Sequence, residues 1–204
     1  MLARQGFVCL CSSYRLSSED IWPAQIQDVN CAIRYLRSNY EDLGVDPNRI
    51  GITGNSAGGH LSLMAGLKDY DNRFEGEGGH QEVSSQVKAI CAIYPPAKIR
   101  KIENSDPIID AYRMLMGEVD QEEYDKASPL LQIKKDFPPT MLVHGSTDSV
   151  VRLEDSTDLY QKLKEENIPA ELHIFSEEDH AFDSARGYGR SVAELQHLFF
   201  RKYL

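Results

Sequence analysis

Short apolar runs and 3.6-residue periodic stretches take turns along this chain. Gly6–Tyr14 (GFVCLCSSY) is an apolar run bounded by glycine and by polar residues, the pattern of a buried strand. Within it Cys9 and Cys11 alternate with Val8 and Leu10, which predicts free thiols on one buried strand face. Pro23 then opens a predicted helix in which Ile26, Val29, Ile33, Leu36 and Tyr40 fall on one side. Asp46-Pro47-Asn48 is a turn and Arg49–Gly54 a second strand, followed by a helix over Ala57–Leu67 with Leu61, Met64 and Leu67 as its stripe. The charged, Gly-rich stretch from Lys68 to Ser85 reads as a surface loop.

Val87–Tyr94 is a third predicted strand, stopped by Pro95-Pro96. Residues 97–137 carry no strand pattern and predict short helices over one edge. Met141–Gly145 and Ala170–Phe175 are strands four and five. Helices are predicted over Leu153–Glu166 and Ser191–Tyr203, with Leu159, Tyr160 and Leu163, then Val192, Leu195 and Phe199, facing inward. Strands separated by helices over the whole length predict a single α/β domain, 1–204. Its sheet is mostly parallel, of about five strands, with helices on both faces.

Composition narrows the class. The 204 residues carry 22 Lys+Arg against 32 Asp+Glu, a formal charge of −10, and 41% are hydrophobic. An acidic balance without a basic cluster argues against nucleic acid or an anionic membrane as partner. No apolar run approaches the ~20 residues of a membrane span. The N-terminus lacks the basic-then-apolar layout of a signal peptide, and four Cys make no disulfide framework. The expectation is a cytoplasmic enzyme or binding domain.

Gly54-Asn55-Ser56-Ala57-Gly58 is a G-x-S-x-G pattern at a predicted strand-to-helix junction, where a nucleophile elbow belongs. A turn that tight would crowd flanking side chains, which accounts for glycines at 54 and 58. It offers the Ser56 hydroxyl at a helix N-terminus, where the dipole favours a developing anion. A serine nucleophile needs a base, and the base an acid to hold its tautomer. Asp148 follows the fourth predicted strand and His180 the fifth, in the order Ser, Asp, His. Parallel strands bring their C-terminal ends to one edge, so the three can meet. Taken singly, Ser56 fits a Gly-Ser turn, Asp148 a turn residue and His180 a loop histidine. Asp179, beside His180, is a competing acid. Asn55 and His60 are candidate pocket residues, although His60 also fits local packing. His144 reads as structural, and His80, His173 and His197 as surface positions. No spacing resembles a metal site, and no cofactor is expected.

Tyr14-Arg15-Leu16, Trp22-Pro23-Ala24-Gln25 with Asp28, Asp46 through Ile50, Gly54 through Leu61, Pro138-Pro139-Thr140 and His144-Gly145 through Asp148 resemble α/β-hydrolase carboxylesterases. The nearest group is the acetyl-esterase and feruloyl-esterase-like one, similar also to the hormone-sensitive-lipase type. Glu75 through Gly79 and Ser128-Pro129 fit it too. The resemblance implies Ser56 as nucleophile, Asp148 as acid, His180 as base and the Ala57 N–H as an oxyanion donor. It also marks a departure. In these families a strand ending in a His-Gly-Gly-Gly-like loop precedes the segment matching Gly6–Tyr14 and lies between it and the one matching Arg49–Gly54. That strand and loop are absent here, and Ser13 stands where the family has Asp. The implied function is hydrolysis of short-chain, acetyl-type esters, slowed by the missing donors. A prolyl-oligopeptidase-like peptidase and a nearly inactive interaction module remain open, and exposed sheet edge predicts a homodimer.

Overall fold

The computed structural model describes residues 1–67, 71–101 and 107–204. The start of the expected loop at Lys68 and residues 102–106 of the expected helical excursion lie outside them. The chain runs α1 (Ala24–Ser38), α2 (Tyr40–Leu43), β1 (Gly51–Asn55), α3 (Ala57–Met64), β2 (Ala89–Ile93) and α4 (Pro107–Met116). It continues through α5 (Gln121–Lys126), α6 (Pro129–Gln132), β3 (Thr140–Gly145), α7 (Leu153–Glu165), β4 (Ala170–Phe175), α8 (Phe182–Ala185) and α9 (Gly189–Tyr203).

The described strands form one parallel sheet in the order β1-β2-β3-β4. Its centre is apolar on both faces, as a sheet covered by helices requires. Ile90, Ala92 and Leu142 face a core built with Ile26, Val29 and Ile33 of α1, Leu61 and Met64 of α3, and Leu159 and Leu163 of α7. Ala89, Cys91, Ile93, Met141 and Val143 point the other way, against Val192, Phe199 and Phe200 of α9. Every second residue thus serves one layer, so a one-residue slip would exchange the two cores. Residues 97–101 and 107–137 hold no strand; Tyr112 and Met116 of α4, Tyr124 of α5 and Ile133 just after α6 pack onto the α1 side. The loop after α3 is tied back by buried Arg34, which donates to the carbonyls of Glu75, Gly78 and Gly79.

The first predicted strand does not form. Residues 7–14 run without strand pairing, Val8 and Leu10 are exposed, and so are Cys9 and Cys11. Among the described residues the sheet therefore has four strands rather than the expected five or so. Between this segment and the free edge of β1 lies a cavity of about 700 Å³, with Phe7, Val8 and Leu10 on one wall and Ile52, Thr53 and Gly54 on the other. An apolar run becomes a strand only beside a partner that takes up its N–H and C=O groups, and no backbone–backbone hydrogen bond joins residues 7–14 to another described segment. The segment neither slides against β1 nor buries its alternate residues.

Candidate active site

The C-terminal ends of β1, β3 and β4 converge on one edge. β1 passes through Ser56 directly into α3, and Ser56 takes up a backbone conformation with φ 52° and ψ −118°. That turn holds because Gly54 has no side chain: a Cβ there would sit 2.3 Å from the Gly58 carbonyl oxygen. A Cβ at Gly58 would meet nothing within 4 Å, so the steric reason expected for both glycines applies to Gly54 alone. The Ser56 N–H donates to the Ile93 carbonyl at 2.9 Å, pinning the elbow to the end of β2. Ala57 opens α3, where its N–H has no intrahelical acceptor and is available to an anion.

Ser56, His180 and Asp148 come together. His180 Nε2 lies 3.0 Å from Ser56 Oγ, and His180 Nδ1 lies 2.8 Å from Asp148 Oδ2. An ionised carboxylate only accepts, so the ring proton sits on Nδ1 and the Nε2 lone pair faces the serine hydroxyl. The Asp148 side chain is fully buried. Its Oδ1 accepts from the N–H groups of Val150 and Val151 at 2.9 and 2.8 Å. Burial alone would raise its pKa. Hydrogen bonds from His144, His180 and those two amides overcome burial and hold it well below the usual carboxylate range. Asp179 is otherwise engaged: it accepts from the Ser149 N–H and hydroxyl and from the His180 backbone N–H, not from the ring. Gly145 lets this loop close in, since a Cβ there would stand 2.3 Å from the Glu178 carbonyl oxygen.

The other candidates are placed differently. His60 is buried, with its ring beside Trp22 and Nε2 donating to the Ala127 carbonyl at 2.7 Å; it belongs to the core rather than a pocket wall. Desolvation lowers its pKa to about 4. Asn55 spends both amide protons, on the Tyr94 hydroxyl at 2.7 Å and on Asp183 at 2.8 Å, so that amide is not free to donate to a substrate. His144 is buried and structural, but it also touches the site. Its Nε2 faces the Val151 carbonyl at 3.0 Å and Asp148 Oδ2 at 3.3 Å, and its Nδ1 meets the Ser156 hydroxyl at 2.7 Å. Two acceptors at Nε2 fix the proton there and leave Nδ1 to accept from Ser156. His80, His173 and His197 are all half-buried, and the His197 ring stands edge-on to Phe7.

Tyr94 and Asp183 were not legible as site residues. The Tyr94 ring lies against the His180 ring, centroids 4.5 Å apart, and its hydroxyl donates to Asp183 at 2.6 Å. A tyrosine closing a strand before Pro95-Pro96 carries no periodicity that could announce this. Among the described residues no group of His, Cys, Asp and Glu is arranged to hold a metal ion.

The BD-FAE family model matches residues 1–163. The chain belongs to the BD-FAE family. It is 31% identical over 97% of its length to the probable carboxylic ester hydrolase LipM of Mycobacterium tuberculosis, covering 48% of that protein. LipC and LipQ of the same organism, both named esterases, are covered to 42% and 46%, so the chain spans about half the length of these curated relatives. Among solved structures, a truncated carbohydrate esterase from gut microbiota superposes with TM-score 0.79 at 30% identity, over 93% of this chain and 72% of that one. An acetyl ester-xyloside bifunctional hydrolase from Caldicellulosiruptor lactoaceticus gives 0.79 at 30% identity, over 93% and 69%. The sheet and its helices are thus a form of the α/β-hydrolase fold, and the unpaired segment at residues 7–14 is where this BD-FAE chain departs from the strand its sequence predicts.

Proposed function

We propose that the chain is a serine carboxylesterase that hydrolyses short-chain, acetyl-type esters through an acyl-enzyme. The observation that carries this reading is the unbroken chain from Ser56 Oγ through His180 to Asp148, at 3.0 and 2.8 Å. Ser56 Oγ attacks the ester carbonyl carbon while its proton passes to His180 Nε2, and the Asp148 carboxylate stabilises the imidazolium. The Ala57 N–H, at the positive end of α3, donates to the oxyanion. The imidazolium protonates the departing alkoxide, which leaves as the alcohol. Water then gives a proton to His180 as it attacks the acyl carbon, and Ser56 is released with the carboxylic acid.

The named activities of LipM and the two solved esterases support ester hydrolysis, and the acetyl ester in one of those names supports a short acyl group. No helix among the described residues is long and apolar enough to cross a membrane. A second copy is the proposed partner, on the exposed side of β1. Stopped-flow mixing with p-nitrophenyl acetate tests the esterase reading: a burst of nitrophenolate followed by slow turnover is expected, and Ser56→Ala abolishes both. Equal rates for the two proteins would overturn the reading.

A further inference from the structure

Three side chains around the candidate triad form a closed ring of hydrogen bonds that the mechanism above does not use. The Tyr94 hydroxyl donates to Asp183 Oδ1 at 2.6 Å and accepts from Asn55 Nδ2 at 2.7 Å. Asn55 Nδ2 closes the ring on Asp183 Oδ2 at 2.8 Å. Each corner comes from a different part of the site. Asn55 immediately precedes Ser56, Asp183 stands three residues after His180 at the start of α8, and Tyr94 directly follows β2. Tyr94 reaches its place with φ 39°, a conformation that costs a non-glycine residue energy and persists only where neighbours enforce it. Its N–H donates to the Val143 carbonyl at 2.6 Å, and its ring is buried between His180 and Phe182.

We propose that Asn55, Tyr94 and Asp183 are positioning residues, a clasp that fixes the serine elbow against the histidine loop and backs the His180 ring so that Nε2 stays on Ser56 Oγ. The proposal rests on the reading of Ser56 and His180 as nucleophile and base. Among the described residues, the side-chain hydrogen bonds that join the Ser56 and His180 segments are those of the clasp and the one from Ser56 to His180 that the reaction itself uses. Once Ser56 gives up its proton, that bond reverses, with Nε2–H donating first to Oγ and then to the leaving oxygen, whereas the clasp keeps the same partners throughout. The chemistry of the corners suits a permanent tie. Burial and the Asp183 carboxylate keep the Tyr94 phenol protonated, above its usual pKa, so it remains a donor. The bonds to Asp183 are charge-assisted and among the stronger kind.

Tyr94→Phe removes the corner hydroxyl and keeps the ring; Asp183→Asn keeps shape and turns one acceptor into a donor facing Asn55. Both are expected to lower kcat on p-nitrophenyl acetate about ten-fold with KM unchanged, the scale of a sub-ångström misplacement. The two effects are expected to be non-additive in the double variant, since each opens the same ring. The second readout is independent of turnover. The His180 Nδ1 proton, held against Asp148, is expected as a sharp downfield ¹H resonance in the parent chain, broadened in both variants. A parent chain that does not turn over would fail the esterase reading, and the resonance would still test the clasp. A resonance equally sharp in all three proteins, or kcat within two-fold of the parent in both variants, would overturn it even if thermal stability fell.

Discussion

A buried carboxylate survives without its proton only if its lone pairs are taken, and four donors converge on Asp148: two amides on one oxygen, two imidazoles on the other. Asp148→Asn keeps the shape but turns an amide NH₂ toward an N–H, which reverses the His180 tautomer. The expected loss of kcat is about 10⁴-fold, with little change in KM, measured by steady-state hydrolysis. His60 makes the opposite electrostatic case. Its folded pKa of about 4 lies below the ordinary 6.5, so the unfolded chain binds the proton more readily. The stability this neutral ring protects is complete above pH 6.5 and is lost as pH falls toward 4. Between pH 7 and 5 the loss is about 2 kcal/mol, and His60→Gln should flatten that part of a urea-unfolding pH series. A slope unchanged in the variant would assign the acid sensitivity to other groups. Ser56, Asp148 and His180 could be nominated from chain order because each follows a strand. The clasp could not, because Tyr94 and Asp183 acquire meaning only once the folded chain brings Asn55 beside them.

Secondary-structure elements are legible where burial is decided by the element itself. β2 is apolar on both faces and reads as a strand from its five residues alone, AICAI. Gly6–Tyr14 is equally apolar at its start, yet strand formation also needs a neighbour to complete the ladder, and the pattern of a run says nothing of its neighbours. The junction of β1 with α3 gives a sharper contrast between two glycines of one motif. Gly54→Ala drives a methyl into the Gly58 carbonyl, and the backbone must move; a cost of about 3 kcal/mol, the upper end of the usual overpacking range, is expected. Gly58 stands in the first turn of α3 with open space at its Cβ position, so Gly58→Ala should be neutral or stabilise by up to about 1 kcal/mol. Urea midpoints of the two variants check both signs, and a destabilised Gly58→Ala would mean that its neighbours crowd the elbow more tightly than the contacts show.

For the whole molecule the open side of β1 decides the state of association. Val8, Leu10 and Leu16 are 56, 45 and 58% exposed, and β1 pairs with no second strand among the described residues. Such edges recruit further chains unless charge or proline blunts them. Neither β1 (GITGN) nor the adjacent Phe7–Leu10 holds a charge or a proline. Burying about 400 Å² of apolar surface there contributes ~10 kcal/mol gross. The cost of bringing two molecules together is about 4–15 kcal/mol, so the balance falls near zero. A symmetric dimer that forms and dissociates over the micromolar range is therefore expected, with the two copies meeting through residues 7–14 and β1. Charge acts against it, because each copy carries −10 and the like fields repel. Added salt screens that repulsion and should favour the dimer, the reverse of its effect on a complex held by opposite charges. Light scattering across protein and salt concentration reads the balance directly. Mass should rise from 23.1 kDa toward twice that value with both, and Leu10→Lys should hold the lower mass. A mass of 23.1 kDa at every concentration and salt would leave the β1 edge exposed on a stable monomer and exclude the dimer.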